Sequence, residues 1–453
     1  MKNVKINFNN SNGKIKPLHG VNNGPTSGFW VGECDTSKYF IEAGIPYSRL
    51  HDTFGAYGGS HLVDVPNIFK DFNADPENPD NYDFELTDRL LEMIDKCGTK
   101  IVYRLGCTIE HNEKKYNTYP PKDYKKWAKI CAGIIRHYNY GWANGMELGV
   151  EYWEIWNEPE AYGKMWFGDM QQFTEFYAVV AAYLKKEFPE CKIGGYGSIG
   201  FYQVTNNNEP YLNKEPYLSL IPNMKRLFNY IKQDETKAPL DFFSWHIYSD
   251  EPKKYYIHAK AARDLLNEYG FYDTESILDE WNITDFVAMR GLEGASHVAA
   301  VMCELQRSLV DKAMYYDAQG SAKYCGLFDF VTCKPLKAFY SLKTFNKLYK
   351  LGTWVKTSCK SNNVFMCAAK NEEEAGIMLT NYRGHDETIY IEIDGLTKNN
   401  DVEISYYITD ENNTEEIKKK EYFSGDRFGI YVDITKNSVV YVEIKKLPKR
   451  LSK

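Results

Sequence analysis

No stretch of the 453 residues approaches the roughly 20 consecutive apolar positions that a membrane-spanning helix needs; the longest apolar run is Phe176 to Leu184. A helical membrane span is excluded on length alone. Basic residues are not in surplus, since 55 Lys and Arg stand against 62 Asp and Glu for a net charge of −7, and this argues against a nucleic-acid partner. The ten cysteines (34, 97, 107, 131, 191, 303, 325, 333, 359 and 367) include no CxxC pair, so the zinc and redox spacings are missing and reduced, mostly buried thiols are expected. His61 and His111 lie near Asp64 and Glu110 without an i, i+4 ligand pair or a His/Cys cluster, so no metal is expected, and no cofactor either. Gly194-Gly195-Tyr196-Gly197 lacks the GxGxxG and Walker spacings of a phosphate cradle. The first fifteen residues show neither an apolar core nor a small-residue cleavage site of an export signal, which gives a cytoplasmic location as the expectation. There is no long linker, repeat or low-complexity tract. What the chain does have is aromatics: 36 Tyr, 24 Phe and 9 Trp reach 15%, flat amphipathic faces that suit a core and also suit stacking on sugars.

From about residue 14 to 350, short apolar runs alternate with longer segments of helical period, the pattern of repeated βα units on a parallel sheet. Eight strands are expected: Ile15–Val21, Ile45–His51, Lys100–Gly106, Tyr152–Trp156, Cys191–Tyr196, Phe242–Ile247, Ser276–Asp279 and Ala313–Asp317. Tyr124, Trp127, Ala128, Cys131, Ile134, Ile135 and Tyr138 recur at three and four, which places them on one face of a helix. Asp83–Lys96, acidic at its start and followed by Gly98, reads as another helix. Eight such units predict a (β/α)8 barrel, although a doubly wound sheet gives the same local pattern. Beyond a helix over Lys334–Leu351 the text changes to short alternating runs parted by Asn, Gly and Asp, the mark of a β-sandwich. The expected division is a barrel over 14–350 and a sandwich over 351–453 joined by 1–13, where Val4, Ile6 and Phe8 alternate as a strand does. The charged run Lys418–Glu421 reads as a solvated loop or strand edge.

Two strand ends carry the chemistry. Tyr152-Trp153-Glu154-Ile155-Trp156 stops abruptly at Asn157-Glu158-Pro159, and Ser276-Ile277-Leu278-Asp279 runs into Glu280-Trp281-Asn282. Barrel active sites lie at the C-terminal ends of the strands, so Glu158 and Glu280 are expected to face each other across the mouth. A pair of carboxyls in different protonation states is what cleavage of a glycosidic bond requires. Glu154 and Asp279, one position lower or more, are expected to be structural partners of Arg or backbone N–H groups.

In these residues the chain resembles the retaining (β/α)8 glycoside hydrolases. The finer set of Pro120-Pro121-Lys122-Asp123-Tyr124, Trp153–Pro159, Phe243-Ser244-Trp245-His246-Ile247-Tyr248 and Asp279-Glu280-Trp281-Asn282 is similar to family 39, the β-xylosidase and α-L-iduronidase family. The resemblance covers essentially the whole chain. It implies Glu158 as acid/base, Glu280 as nucleophile and Asn157 on the sugar 2-hydroxyl. Arg49, His51, His246 and Tyr248 become further binding or orienting residues, and Trp281, like Trp30 and Trp166, a candidate stacking platform. Arg49 near the nucleophile favours its ionised form, whereas burial and the Glu280 charge are expected to raise Glu158.

Two strand ends depart from the family pattern: Leu105–His111 after the third strand and Tyr315-Tyr316-Asp317-Ala318-Gln319 on the eighth. Both line the sugar pocket in the family, which leaves the sugar open. The expected function is removal of a terminal sugar, a pentose such as xylose first, from plant-type oligosaccharides by double displacement. Arabinosidase, galactosidase or disaccharide-releasing action, or a non-catalytic carbohydrate-binding barrel, stand as alternatives. The expected partner is the oligosaccharide alone, with oligomeric state left open.

Overall fold

The computed structural model describes residues 2–26, 35–53, 61–110, 113–205, 209–233, 235–320, 324–329, 331–357, 359, 361–396 and 401–447. Eight parallel strands close into a barrel: β1 (Gly20–Asn22), β2 (Tyr47–Leu50), β3 (Lys100–Leu105), β4 (Tyr152–Ile155), β5 (Lys192–Ser198), β6 (Phe242–Tyr248), β7 (Glu275–Asn282) and β8 (Lys312–Tyr315). Closure settles the choice that periodicity leaves open, because β8 pairs with β1 (Met314↔Gly20) as well as with β7, where a doubly wound sheet would end in free edges. Helices follow the strands. Tyr124–Tyr140 starts where the Asp123 side chain accepts the Lys126 N–H and ends at left-handed Gly141, and its expected apolar face is buried except for half-exposed Tyr124. Asp169 and Gln172 cap Met170–Glu187 reciprocally.

Alternation along each strand sorts the barrel interior into tiers. Tyr47, Val102, Tyr152, Phe242, Ile277 and Met314 form an apolar plug at the N-terminal end. Two residues further along each strand the inward positions turn polar, with Arg49 on β2, Glu154 on β4, Ser244 on β6 and Asp279 on β7, all buried. On β7 the register with β6 shifts between Leu278 and Glu280 (Trp245↔Leu278, then His246↔Glu280). That bulge lets the consecutive carboxylates Asp279 and Glu280 both turn inward, which strict alternation would forbid.

The remaining strands build two sheets. One orders Lys2–Asn7, Glu387–Asp394 and Arg427–Ile434. The other runs Glu416–Ser424, Asp401–Thr409, Val439–Lys446, Glu374–Asn381, Val364–Lys370, Thr353–Val355 and Ser11–Lys14. Val4, Ile6, Ile377, Ile391, Ile404 and Val442 are among the side chains packed between them. The N-terminus thus supplies two strands. Lys418–Glu421 lies in the exposed edge strand, where charge discourages pairing with other chains. Tyr382 Oη donates to the Asp250 carbonyl over 2.8 Å and Arg383 pairs with Glu293, which ties the sheets to the loop after β6 and to the helix Leu292–Arg307.

One cysteine departs from expectation: Cys333 is disulfide-bonded, whereas Cys97, Cys107, Cys131, Cys191, Cys303, Cys325, Cys359 and Cys367 are free thiols. Cys34 lies outside the described residues. Among the described residues no helix is long and apolar enough to cross a membrane.

Candidate active site

Strand β4 delivers Asn157 and Glu158 by breaking its own geometry. Trp156 (φ 71°) and Glu158 (φ 42°) both adopt left-handed backbone, and the Glu158 N–H donates to the Gly197 carbonyl over 2.9 Å. Non-glycine residues held there typically carry about 1–3 kcal/mol of strain each, a feature that clusters at active sites. Gly197 (φ +60°) is needed at this point, since a Cβ on it would stand 2.8 Å from Asn157 Oδ1 and 3.0 Å from Arg49 Nη2.

Arg49, fully buried, is the hub. Its Nε donates to Glu154 Oε2 (2.6 Å) and lies 2.9 Å from Asp279 Oδ2, Nη1 donates to Glu280 Oε1 (2.8 Å), and Nη2 to Asn157 Oδ1 (2.7 Å). Burial raises the Glu154 carboxyl against the pull of Arg49, and proximity to Asp279 raises it further. Asp279 is lowered despite burial, by Arg49 and then His246. The proton therefore rests on Glu154, whose Oε1 accepts the Ser244 hydroxyl (2.5 Å), and the negative charge on Asp279. Both lie beneath the mouth and pair with Arg49, an arginine being the kind of partner expected of them.

Above them, one carboxyl oxygen of Glu158, one of Glu280 and a ring nitrogen of His246 all lie within 4.8 Å of one another. His246 Nδ1 is 2.8 Å from Glu158 Oε1 and 3.6 Å from Glu280 Oε2, and its Nε2 is 3.3 Å from Asp279 Oδ1. Burial opposes its charge, but Glu280, Asp279 and Glu158 together lift its pKa well above the ordinary value, so the ring is an imidazolium. Tyr248 Oη donates to Glu280 Oε2 over 2.9 Å. Glu280 itself departs from expectation: burial raises its carboxyl, His246 and Arg49 pull it back, and Glu158 and Asp279 push it up again, with a net rise. Arg49 acts on it in the expected direction and is outweighed. His51 is held well below its usual pKa by burial and by Arg104 and Arg49; the neutral ring accepts the Asn157 amide at Nε2 over 3.2 Å.

These groups open on a cavity of about 240 Å³ lined by His51, Asp52, Asn157, Glu158, Tyr248 and Glu280, with Tyr316 and Tyr324 opposite. Asp52, Met165 and Tyr324 are lining residues that the sequence reading did not name, while Ile109 and Tyr316 lie in the two strand ends that depart from the family pattern. Tyr316 Oη donates to Asp52 Oδ2 over 2.8 Å, and burial raises the Asp52 carboxyl. Asp317 and Gln319 are buried and do not line the cavity. Nor does Trp281: it is fully buried on the outer side of β7, edge-on to Tyr255 and Tyr315. Alternation from inward Glu280 explains this, and its role is packing. Trp166 is likewise buried against Trp156 and Phe176, while Trp30 and His111 lie outside the described residues.

Residues 56–275 match the family model described as glycosyl hydrolases family 39. That segment carries Asn157, Glu158, His246 and Tyr248 and ends short of Glu280. A β-xylosidase of Geobacillus stearothermophilus is 23% identical over 245 residues, 52% of this chain and 42% of the relative. One from Caldicellulosiruptor saccharolyticus is 30% identical over 98 residues, 22% of this chain and 18% of the relative. The chain thus spans less than half the length of these curated relatives. Its fold is shared with a glucosidase from Croceicoccus marinus (TM-score 0.80, 20% identity, 99% of both chains). It is also shared with a monomeric β-xylosidase from Caulobacter crescentus (TM-score 0.70, 15% identity, 99% of this chain and 100% of the other).

Proposed function

We propose that the chain is a member of glycoside hydrolase family 39, a retaining glycosidase that removes a terminal pentose, xylose first, from plant-type oligosaccharides. The observation that carries this reading is the approach of Glu158 and Glu280, with oxygens inside 4.8 Å of each other. Retaining enzymes hold their two carboxyl groups about 5–5.5 Å apart, whereas inverting enzymes leave roughly 6.5–9.5 Å for a water.

In this reading Glu280 attacks the anomeric carbon. Tyr248 and Arg49 each hold one of its oxygens, so the nucleophile enters the reaction already oriented. Glu158 protonates the departing oxygen and, with the sugar bound to Glu280, takes a proton from the incoming water. The imidazolium of His246 lies between the two carboxyls, where it offsets charge as the proton leaves Glu158. Asn157, its amide fixed by Arg49 and His51, is the partner of the sugar 2-hydroxyl.

The inner cavity, at about 240 Å³, suits a single sugar ring, which favours exo action. Xylose is put first because the relatives matched in sequence are β-xylosidases. A panel of aryl glycosides tests the reading. Release of phenolate from the β-xyloside above all others is expected; best activity on an arabinoside or galactoside would reassign the sugar, and no activity on any member would leave a carbohydrate-binding barrel.

A further inference from the structure

A second and larger cavity, of about 880 Å³, meets the inner one at Ile109, Glu158 and Tyr248, which line both. It lies between the loop after β4 and the segment after β5. Glu158, the group assigned to protonate the departing oxygen, stands at the junction, so on the glycosidase reading the inner cavity takes the sugar being cut off and the outer one takes what leaves. The outer volume is more than three times the inner.

The wall contributed by the segment after β5 is chemically suited to a sugar chain. Helix Leu220–Ile231 buries Leu220, Met224, Leu227, Phe228 and Ile231, while Ser219, Asn223 and Arg226, spaced by four and three, line the cavity from its other face. The Asn223 and Arg226 side chains have no hydrogen-bond or ion-pair partner among the described residues. Tyr217 is half-buried in the same wall; its ring packs edge-on against Tyr202 (5.4 Å) and Tyr211 (5.9 Å), which fixes its plane. Tyr202 in turn is anchored by accepting the Tyr248 N–H over 2.8 Å. A braced aromatic plane flanked by unpaired donors is what an oligosaccharide needs, stacking for the ring face and hydrogen bonds for its hydroxyls.

We propose that this cavity is a leaving-group cleft that binds several further sugar units of the substrate, with Tyr217 as stacking platform and Asn223 and Arg226 as hydroxyl partners. The chain is then selective for oligosaccharides over disaccharides and small aryl glycosides, and the three residues determine specificity without touching the bond that breaks. The inference rests on the glycosidase reading above.

The test is kcat/KM of the full chain on 4-nitrophenyl β-xyloside and on β-1,4-linked xylobiose through xylohexaose. Wild type should climb from the dimer over the next two or three units and then level off. Tyr217→Ala should flatten that climb, with a loss of up to about tenfold on the pentamer, the size of one aromatic contact. Asn223→Ala with Arg226→Ala should do the same, and both variants should keep the aryl xyloside rate within about twofold of wild type. Retained aryl activity also reports that each variant is folded. A wild-type profile flat from the dimer onward, or a Tyr217→Ala loss equal on aryl xyloside and pentamer, would overturn the cleft. A wild type inactive on every aryl glycoside would remove the glycosidase reading and this inference with it.

Discussion

His246 Nδ1 donates to Glu158 Oε1 over 2.8 Å, so the acid/base candidate is bonded to a buried imidazolium. A histidine whose folded pKa lies above the unfolded value of about 6.5 adds stability that is present in full below that pH and is lost as pH rises through the folded pKa. The stability difference between wild type and His246→Gln, measured by denaturant unfolding, should therefore be largest in mild acid and shrink on the alkaline side. A difference that grows with pH would show that the ring is buried neutral.

Glu280 gives a kinetic counterpart. Its raised carboxyl must be ionised to attack, so kcat/KM should fall with an acid limb above the ordinary glutamate value of about 4.3. Tyr248→Phe removes a hydrogen bond to the ionised form. That variant should move the limb to higher pH and lower kcat/KM by roughly 10- to 100-fold, the range for a hydrogen bond to a charged group. An unmoved limb would place Tyr248 outside the control of Glu280.

Removing the hub should unfold rather than merely slow the protein. Arg49→Met leaves Asp279 and Glu280 without their shared cation and Glu154 without a hydrogen-bond donor, and loss of one partner of a buried ion pair costs about 3–5 kcal/mol. Thermal and denaturant midpoints check this; a loss under about 1 kcal/mol would mean that the carboxyls neutralise themselves by taking up protons.

Gly197→Ala is a conservative change with a specific target. The methyl meets Asn157 Oδ1 and Arg49 Nη2 in a left-handed backbone that itself disfavours a side chain by about 1–2 kcal/mol. A modest loss of stability with a disproportionate loss of kcat/KM is expected, because Asn157 must shift. Unchanged kinetics would show that the mouth of β4 tolerates movement.

The eight strands and the two glutamates at strand ends were legible because each rests on local pattern, apolar runs of strand length, helical stripes and carboxyls at strand ends, whereas closure into a barrel rests on the pairing of β8 with β1, which local pattern does not encode. Trp281 shows where motif outran pattern, since its neighbour Glu280 points inward and alternation sends the indole outward. The consecutive inward placement of Asp279 and Glu280 was not legible, because it depends on a one-residue register shift between β6 and β7 that no single strand encodes. Asp52 was missed for a similar reason: only the fold brings the loop after β2 to Tyr316 at the end of β8. The strands Ser11–Lys14 and Thr353–Val355 are too short to show a period and exist through pairing, the first with the second and the second also with Val364–Lys370.

The most direct test of the glycosidase reading compares Glu158→Ala with Glu280→Ala on a 2,4-dinitrophenyl glycoside with added azide. Without Glu158, a leaving group that needs no proton should still depart in a burst, followed by a slow phase, and azide should speed turnover and give a glycosyl azide of retained configuration. Without Glu280 no glycosyl-enzyme forms, and any azide product should be inverted. The reverse pattern would exchange the two roles, and near wild-type activity in both variants would contradict the account at its centre.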